Sequence, residues 1–235
     1  TGGFIMIDRL TNATVAAGMI LDREPADGRK DHWDDEPAVA ELKTESGEVT
    51  AEERATRFGQ KPVTVLFTGL PGSGKTSIAR GVERRLFDAG HAAAVLDGTG
   101  MRQGISRDLG FSADERSENL RRSAEVAKLF NDVGLICLAS FVAPDAAVRE
   151  KVADRIGRDR FVVVHLAAPV EICRERDTSG RYAAADAGTI VDFPGVSAPY
   201  ESPANPDLVL PTHEWPVAKS IDAVMKLLAD RGILG

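Results

Sequence analysis

The stretch VTVLFTGLPGSGKTSIAR, residues 63–80, decides how this chain is read. Its start, 63–69, is a short apolar run rich in β-branched residues, the composition of a buried strand. Its end opens a helix: Ile78, Val82, Leu86 and Ala89 recur at helical spacing until Gly90 stops the pattern. Between the two, Gly69-Leu-Pro-Gly-Ser-Gly74-Lys75-Thr76 fits the spacing G-x-x-x-x-G-K-[ST]. The glycines let the backbone curl so that successive N–H groups face a phosphate, and the helix turns its positive end to the same point. The spacing predicts that Gly69, Pro71, Gly72, Ser73, Gly74, Lys75, Thr76 and Ser77 hold ATP. Lys75 is then the cation for the β- and γ-phosphates, and Thr76 offers its hydroxyl to Mg²⁺. The plain alternative is a glycine-rich turn that binds nothing. The strand before it and the helix after it favour the phosphate site.

The same alternation continues outward. Further strands are expected at AAAVLD (92–97), LICLASF (135–141), FVVVHLA (161–167) and DLVL (207–210). Helices are expected from the capping box Ser112-Ala-Asp-Glu115 to about Val133, after Pro144, from Pro169, and from Val217 to about Leu228. Strands that alternate with helices imply an α/β fold, here a P-loop kinase with a five-stranded parallel sheet flanked by helices. Residues 178–205 are dense in Gly, Pro, Ser and Asp, and a loop of that length reads as a lid or a binding segment.

Upstream the pattern differs. Residues 3–20 suggest two short strands, around Phe4 and Met6 and then Val15, with Asn12 in the turn. This short β remnant at the N-terminus is too small to bury a core of its own. Residues 22–48 lack any period and read as an exposed linker. Thr50-Ala-Glu-Glu53 is a second capping box and opens a short helix that ends near Gly59. The expected organisation is therefore a β remnant at 1–21, a linker at 22–49 and the P-loop domain at 50–235. A net charge of −7 argues against a nucleic-acid partner, which would need clustered Lys and Arg. No apolar run reaches the length of about 18 residues that crosses a membrane. Cys137 and Cys173 form no C-x-x-C pair, which points to a reducing, cytoplasmic setting.

Asp97 closes the second strand of the domain, at the end that faces the ligand crevice in an open α/β sheet. A carboxylate there can take a proton from an attacking hydroxyl, or it can simply cap a D-G turn. The third strand ends in Ala139-Ser140 without an acidic residue, which raises the interest of Asp97. Arg102, Arg107, Arg116, Arg121 and Arg122 cluster after it. Arg102 and Arg116 are read as anion ligands, and the others as helix charges paired with Glu115, Glu118 and Glu125. Phe111 could stack on a base; by period alone it reads as core. His91, His165 and His213 show no metal spacing.

From about Thr50 onward the chain resembles the adenylylsulfate (APS) kinases. The residues that carry this are TGLPGSGKT (68–76), LDG (96–98), RDLGFS (107–112), ERSENLRRSAEVAKLF (115–130), RERD (174–177) and APYESPANPDL (198–208). The resemblance implies phosphorylation of the 3′-hydroxyl of APS by MgATP, giving PAPS for sulfate assimilation. It implies that Lys75 and Asp97 are catalytic, and that Arg102, Phe111, Arg116 and Asn119 contact APS. It also implies a mobile lid over 178–200, Phe193 closing on the adenine of APS, Arg176 and Asp177 beside the ATP base, and a homodimer. Residues 2–20 resemble the end of the last β-barrel of the GTPase subunit of bacterial ATP sulfurylase, which is sometimes fused to APS kinase.

The chain also departs from that pattern. Thr99 stands where the family has a carboxylate, in Asp97-Gly98-Thr99-Gly100, and the lid reads Asp177-Thr178-Ser179-Gly180-Arg181-Tyr182-Ala183-Ala184 without the family's lysines. Two other readings follow from these departures: a nucleotide-binding module with weakened catalysis, and a P-loop kinase for a different hydroxyl.

Overall fold

The computed structural model describes residues 2–7, 14–20, 31–36 and 47–235. Strands β1 (Gly2–Ile7) and β2 (Thr14–Ile20) pair antiparallel, with Phe4 opposite Gly18 and an irregularity between Met6 and Ile7. The expected turn at Asn12 lies outside the described residues, as do 22–30 and 37–46 of the expected linker.

Helix α1 (Ala51–Phe58) begins at the Thr50 capping box and ends at Gly59 in the left-handed conformation. Strands β3 (Thr64–Thr68), β4 (Ala93–Asp97), β5 (Ile136–Ser140), β6 (Phe161–Leu166) and β7 (Leu208–Leu210) form one sheet, all parallel, in the order β4-β5-β3-β6-β7. The sequence order changes direction around β3, so the crevice beyond the carboxyl ends of β3 and β5 is where a ligand is expected.

Period-two alternation in β3 supplies both cores. Val65 and Phe67 join Ile78, Val82 and Leu86 of α2 (Lys75–Asp88) and Val224 and Leu228 of α8 (Val217–Asp230). Leu66 faces the other way. It packs with Leu120, Ala124 and Ala127 of α4 (Ala113–Asp132) and Val152 and Ile156 of α5 (Ala146–Ile156). Being central, β3 is buried along its whole length. Helix α4 starts at the predicted capping box, Ser112 with Glu115.

The structure corrects two expectations. Residues 31–36 are not an exposed linker. Trp33 is 6% exposed and belongs to the α4–α5 core. Its indole N–H donates to Ser117 Oγ at 2.9 Å, Ser117 Oγ donates to Asp31 Oδ2 at 2.6 Å, and the His32 N–H donates to Glu118 Oε2 at 3.1 Å. Lys151 of α5 lies 6.0 Å over the Trp33 ring and 3.6 Å from Asp34. The missed signal is a lone Trp in a polar stretch: a ring of that size is worth burying wherever a groove exists. Trp33→Ala is expected to lower the unfolding free energy by about 3 kcal/mol, the low end for a buried Trp, because the strap can detach locally. A shift of the urea midpoint at unchanged m-value measures it.

The second correction concerns the lid. It contains a helix, α7 (Arg181–Asp186), and a small core of its own. Tyr182, Ala185 and Phe193 bury against Cys173 of α6 (Val170–Glu175), with Leu70 and Val170 alongside.

Candidate active site

A cavity of about 410 Å³ opens at the carboxyl ends of β3, β4 and β5, within the usual range for ligand sites. The loop 69–74 forms one wall. Gly72 (φ 83°) and Gly74 (φ 95°) adopt conformations that other residues rarely take. A Cβ on Gly72 would also meet Cys173 O at 2.6 Å. Lys75 begins α2 and is buried. Its ammonium folds back on the loop and donates to Gly69 O at 3.0 Å and Leu70 O at 2.8 Å. These carbonyls stand in for the anionic oxygens that a triphosphate would bring. Burial is the main cause that pushes the Lys75 amine down to about 8; the Arg181 charge adds to it, and Cys173 opposes it. Above about pH 8 the empty site therefore loses its proton and must regain it when phosphate oxygens arrive. ATP binding at pH 8.5 is expected to take up about three quarters of a proton, and about a tenth of one at pH 7. Calorimetry in buffers of different ionisation enthalpy reads this directly.

Thr76 Oγ1 lies 3.0 Å from Ser140 Oγ at the end of β5, so two hydroxyls stand where an acidic residue was missing from the sequence. Asp97 lines the same cavity. The capping reading of this residue is seen directly. Its Oδ1 caps the short helix α3 (Gly98–Gln103), accepting from Thr99 N at 3.0 Å and Gly100 N at 2.7 Å. Its Oδ2 has only a long ion pair with Arg80, at 3.6 Å. Thr99 is exposed.

The opposite wall comes from α3 and α4. Arg102, Arg116 and Asn119 all line the cavity. Arg102 donates to Gly110 O and Gly98 O, and Arg116 donates to Phe111 O and Asp192 O. Burial and the neighbouring Arg116 charge depress the Arg102 guanidinium below its ordinary range. Three atoms here, Arg102 Nη2, Arg116 Nε and Asn119 Oδ1, are buried with no hydrogen-bond partner among the described residues. Orphaned buried polar atoms are rare in native folds. Two guanidiniums and an amide on one cavity wall suit an anion that also carries N–H or O–H groups.

Phe111 is 50% exposed at the cavity rim and is not core, contrary to its period; the Arg102 guanidinium stacks 4.5 Å from its ring centre. Arg121 and Arg122 are structural, as expected. Both bind Glu118, and Arg122 also binds Asp108. Burial pushes the Glu118 carboxyl up, but these two guanidiniums outweigh it and hold it below its ordinary value. Arg107 is exposed. Phe193 lines the cavity but is buried, edge-on to Tyr182 at 4.9 Å. Asp177 lines the cavity, while its carboxylate accepts from Ser179 N and Tyr182 N. Arg176 lies outside that lining and donates to Thr212 O at 2.8 Å, and Thr212 Oγ1 donates to Ser73 O at 2.9 Å. His165 stacks on Tyr200 with ring centres 6.0 Å apart, and His213 pairs with Glu214. Among the described residues no cluster of His, Cys, Asp and Glu could hold a metal by itself.

Sequence reasoning missed Ser140, Tyr182 and Thr212. None belongs to a local motif, and each is brought in by the chain crossing. Ala143 (φ 45°) and Asp192 (φ 54°) also line the cavity and are the two non-glycine residues with positive φ among the described residues. Strain of this kind collects at ligand sites.

Comparison with known proteins agrees with this geometry. The family model described as "Adenylylsulphate kinase" matches residues 61–211. A bifunctional enzyme CysN/CysC of Rhodopirellula baltica is 59% identical over 234 residues, covering 100% of this chain and 36% of that protein. An adenylyl-sulfate kinase of Shewanella pealeana is 45% identical over 181 residues, covering 77% of this chain and 88% of that protein. The solved Mycobacterium tuberculosis APS kinase CysC, in complex with AMPPNP and APS, is 42% identical, with a TM-score of 0.68, covering 72% of this chain and 99% of that one. The chain spans about a third of the length of the bifunctional relatives that it matches.

Proposed function

The chain belongs to the adenylylsulphate kinase family, and from that premise we propose that it transfers the γ-phosphoryl group of ATP to the 3′-hydroxyl of APS, giving PAPS for sulfate assimilation. The observation that carries this reading is that Arg102, Arg116 and Asn119 line the same cavity as Lys75 and Thr76 of the loop 69–76. A phosphate loop alone would fit any nucleotide kinase; a second, cationic wall with an amide acceptor calls for a second anionic nucleotide. Phe111, exposed beside Arg102, offers that nucleotide a stacking face. The transferred group has little covalent chemistry to be done on it, so the work is positioning and charge.

In this reading Lys75 and the N–H groups of the loop hold the triphosphate. Asp97 Oδ2 takes the proton of the attacking hydroxyl while Oδ1 keeps the cap that aims it. Mg²⁺ fits the donor set, because it keeps several waters and asks only for a few protein oxygens beside those of the phosphates; the Thr76 and Ser140 hydroxyls would hold it. Held there with ATP, the ion would supply positive charge to offset that of the phosphates. Thr99 lines the cavity at an exposed position, and Asp97, Lys75, Arg102, Arg116 and Asn119 line it as well; that retained set supports an active kinase over a binding module.

The hairpin β1–β2 is proposed as the end of a β-barrel of a fused sulfurylase GTPase subunit, joined to the kinase ahead of the strap 31–36; the bifunctional relatives support this. A homodimer and a reducing, cytoplasmic setting are proposed as well. Cys137 and Cys173 are free and buried, and burial pushes the Cys137 thiol up to about 12, so it is inert.

The test is ADP release by purified protein with MgATP and APS, with the product identified by its ³¹P spectrum. A 3′-phosphate resonance that forms only with APS is expected. Release of ADP with another alcohol, and none with APS, would move the chain to a different acceptor class.

A further inference from the structure

One cation in the cavity has been given no role. Arg181 is the first residue of α7, and it is exposed and lines the cavity. Its neighbour fixes its position: Tyr182 OH donates to Pro71 O at 2.8 Å, and Tyr182 N donates to Asp177 Oδ2 at 2.8 Å. The backbone at 181–182 is thereby pinned to the phosphate loop. From there the guanidinium reaches across to the acceptor wall, 5.2 Å from the Phe111 ring centre and 5.7 Å from that of Phe193. Those rings steer the guanidinium and hold it without neutralising it. No carboxylate lies within salt-bridge distance of Arg181 among the described residues, whereas Arg121, Arg122 and Arg174 each have one. Its field falls on both halves of the site. It is among the causes that lower the proton affinity of Lys75 and of Arg102, in each case after burial.

We propose that Arg181 is a catalytic residue, the guanidinium that spans the donor and acceptor halves of the cavity and stabilises the charge on the phosphoryl group in transit. The proposal rests on the kinase reading above. In the step it serves, the acceptor oxygen forms a bond to the γ-phosphorus while the bond to the β,γ-bridging oxygen breaks. ADP leaves with that electron pair, and the acceptor proton passes to Asp97. Arg181 exchanges no proton; it faces the equatorial oxygens while both bonds are partial, when their charge is most spread. A planar fork carried on two aromatic rings suits that task better than an ammonium, because it stays charged and keeps its orientation.

The experiment compares Arg181→Ala, Arg181→Met and Arg181→Lys with the wild type. It measures kcat and KM with APS, affinity for a non-hydrolysable ATP analogue, and the slow hydrolysis of ATP with no acceptor present. Methionine keeps the packing on Phe111 and Phe193 and removes only the charge. Both Ala and Met are expected to lower kcat by about 10²–10³-fold, the range for one oriented donor in a transition-state site, with analogue affinity held within about threefold. Added guanidinium ion should restore part of the Arg181→Ala activity, and Lys should be intermediate. A Met variant with near-wild-type kcat would overturn the proposal, because packing alone would then explain the residue. If the wild type gives no APS-dependent turnover, the acceptor reading falls separately. The hydrolysis arm then decides: a drop in Arg181→Met supports the assignment, and unchanged hydrolysis sinks it.

Discussion

Lys75→Ala is expected to lower kcat/KM for ATP by at least about 10³-fold, on the order of 4 kcal/mol of transition-state stabilisation, while leaving the fold intact. The two halves of this expectation separate a catalytic lysine from a structural one. The buried ammonium is satisfied by two loop carbonyls, yet it holds its proton less tightly than an ordinary lysine, with a value of about 8 against 10.5. The sign follows from linkage. The folded-state value is the lower one, so the folded protein carries a penalty below about pH 8, which fades between about 8 and 10.5. Removing the amine removes that penalty at neutral pH. The variant should therefore unfold at the same temperature as the wild type or slightly above it, while it loses ATP binding and turnover. Calorimetric titration with ATP and a thermal melt on the same sample read both. Retained ATP affinity would remove Lys75 from the site.

Asp97→Asn is expected to lower kcat by about 10²–10⁴-fold, the usual contribution of a positioned general base, at little cost in stability. Asparagine keeps an oxygen that can accept from Thr99 N and Gly100 N, so the cap on α3 survives. What it loses is the anion at the second oxygen. Asp97→Ala should lose the same activity and about 1 kcal/mol of stability besides, because the cap goes with it. A chemical denaturation curve distinguishes the two variants, and kcat should fall alike in both. If Asp97→Asn turns over normally, Asp97 is a cap only and the proton leaves by water.

Much of this site was legible in the chain because its chemistry is local. The loop 69–76 lies between a strand and a helix that neighbour it in sequence, and Asp97 closes the next strand. The long α4 announced itself through its capping box, and Glu118, with charges three and four residues away, explained Arg121 and Arg122. What escaped the reading depends on distant pairs. Ser140 becomes a partner of Thr76 only because β5 lies beside β3 in the sheet. Phe111 has the period of a core residue but sits in a turn before α4, where period carries no information about facing. The segment 178–205 is polar in composition, yet Tyr182 and Phe193 give it a core; two aromatic rings outweighed the glycines and serines around them. Trp33 shows the same imbalance, one large ring against a run of charges.

The strap 31–36 also sets a mechanical limit. Asp31, His32 and Trp33 are fastened to Ser117 and Glu118, two residues and one residue before Asn119 on α4. The segment 21–30 is all that joins this clamp to the hairpin, and at roughly 3.6 Å per residue it reaches no further than ~40 Å. That span bounds how far the hairpin can stand from the strap. The strap also determines where a pull is felt. Tension on the chain ahead of Asp31 is delivered not to a loose terminus but to the turn of α4 that carries Arg116 and Asn119.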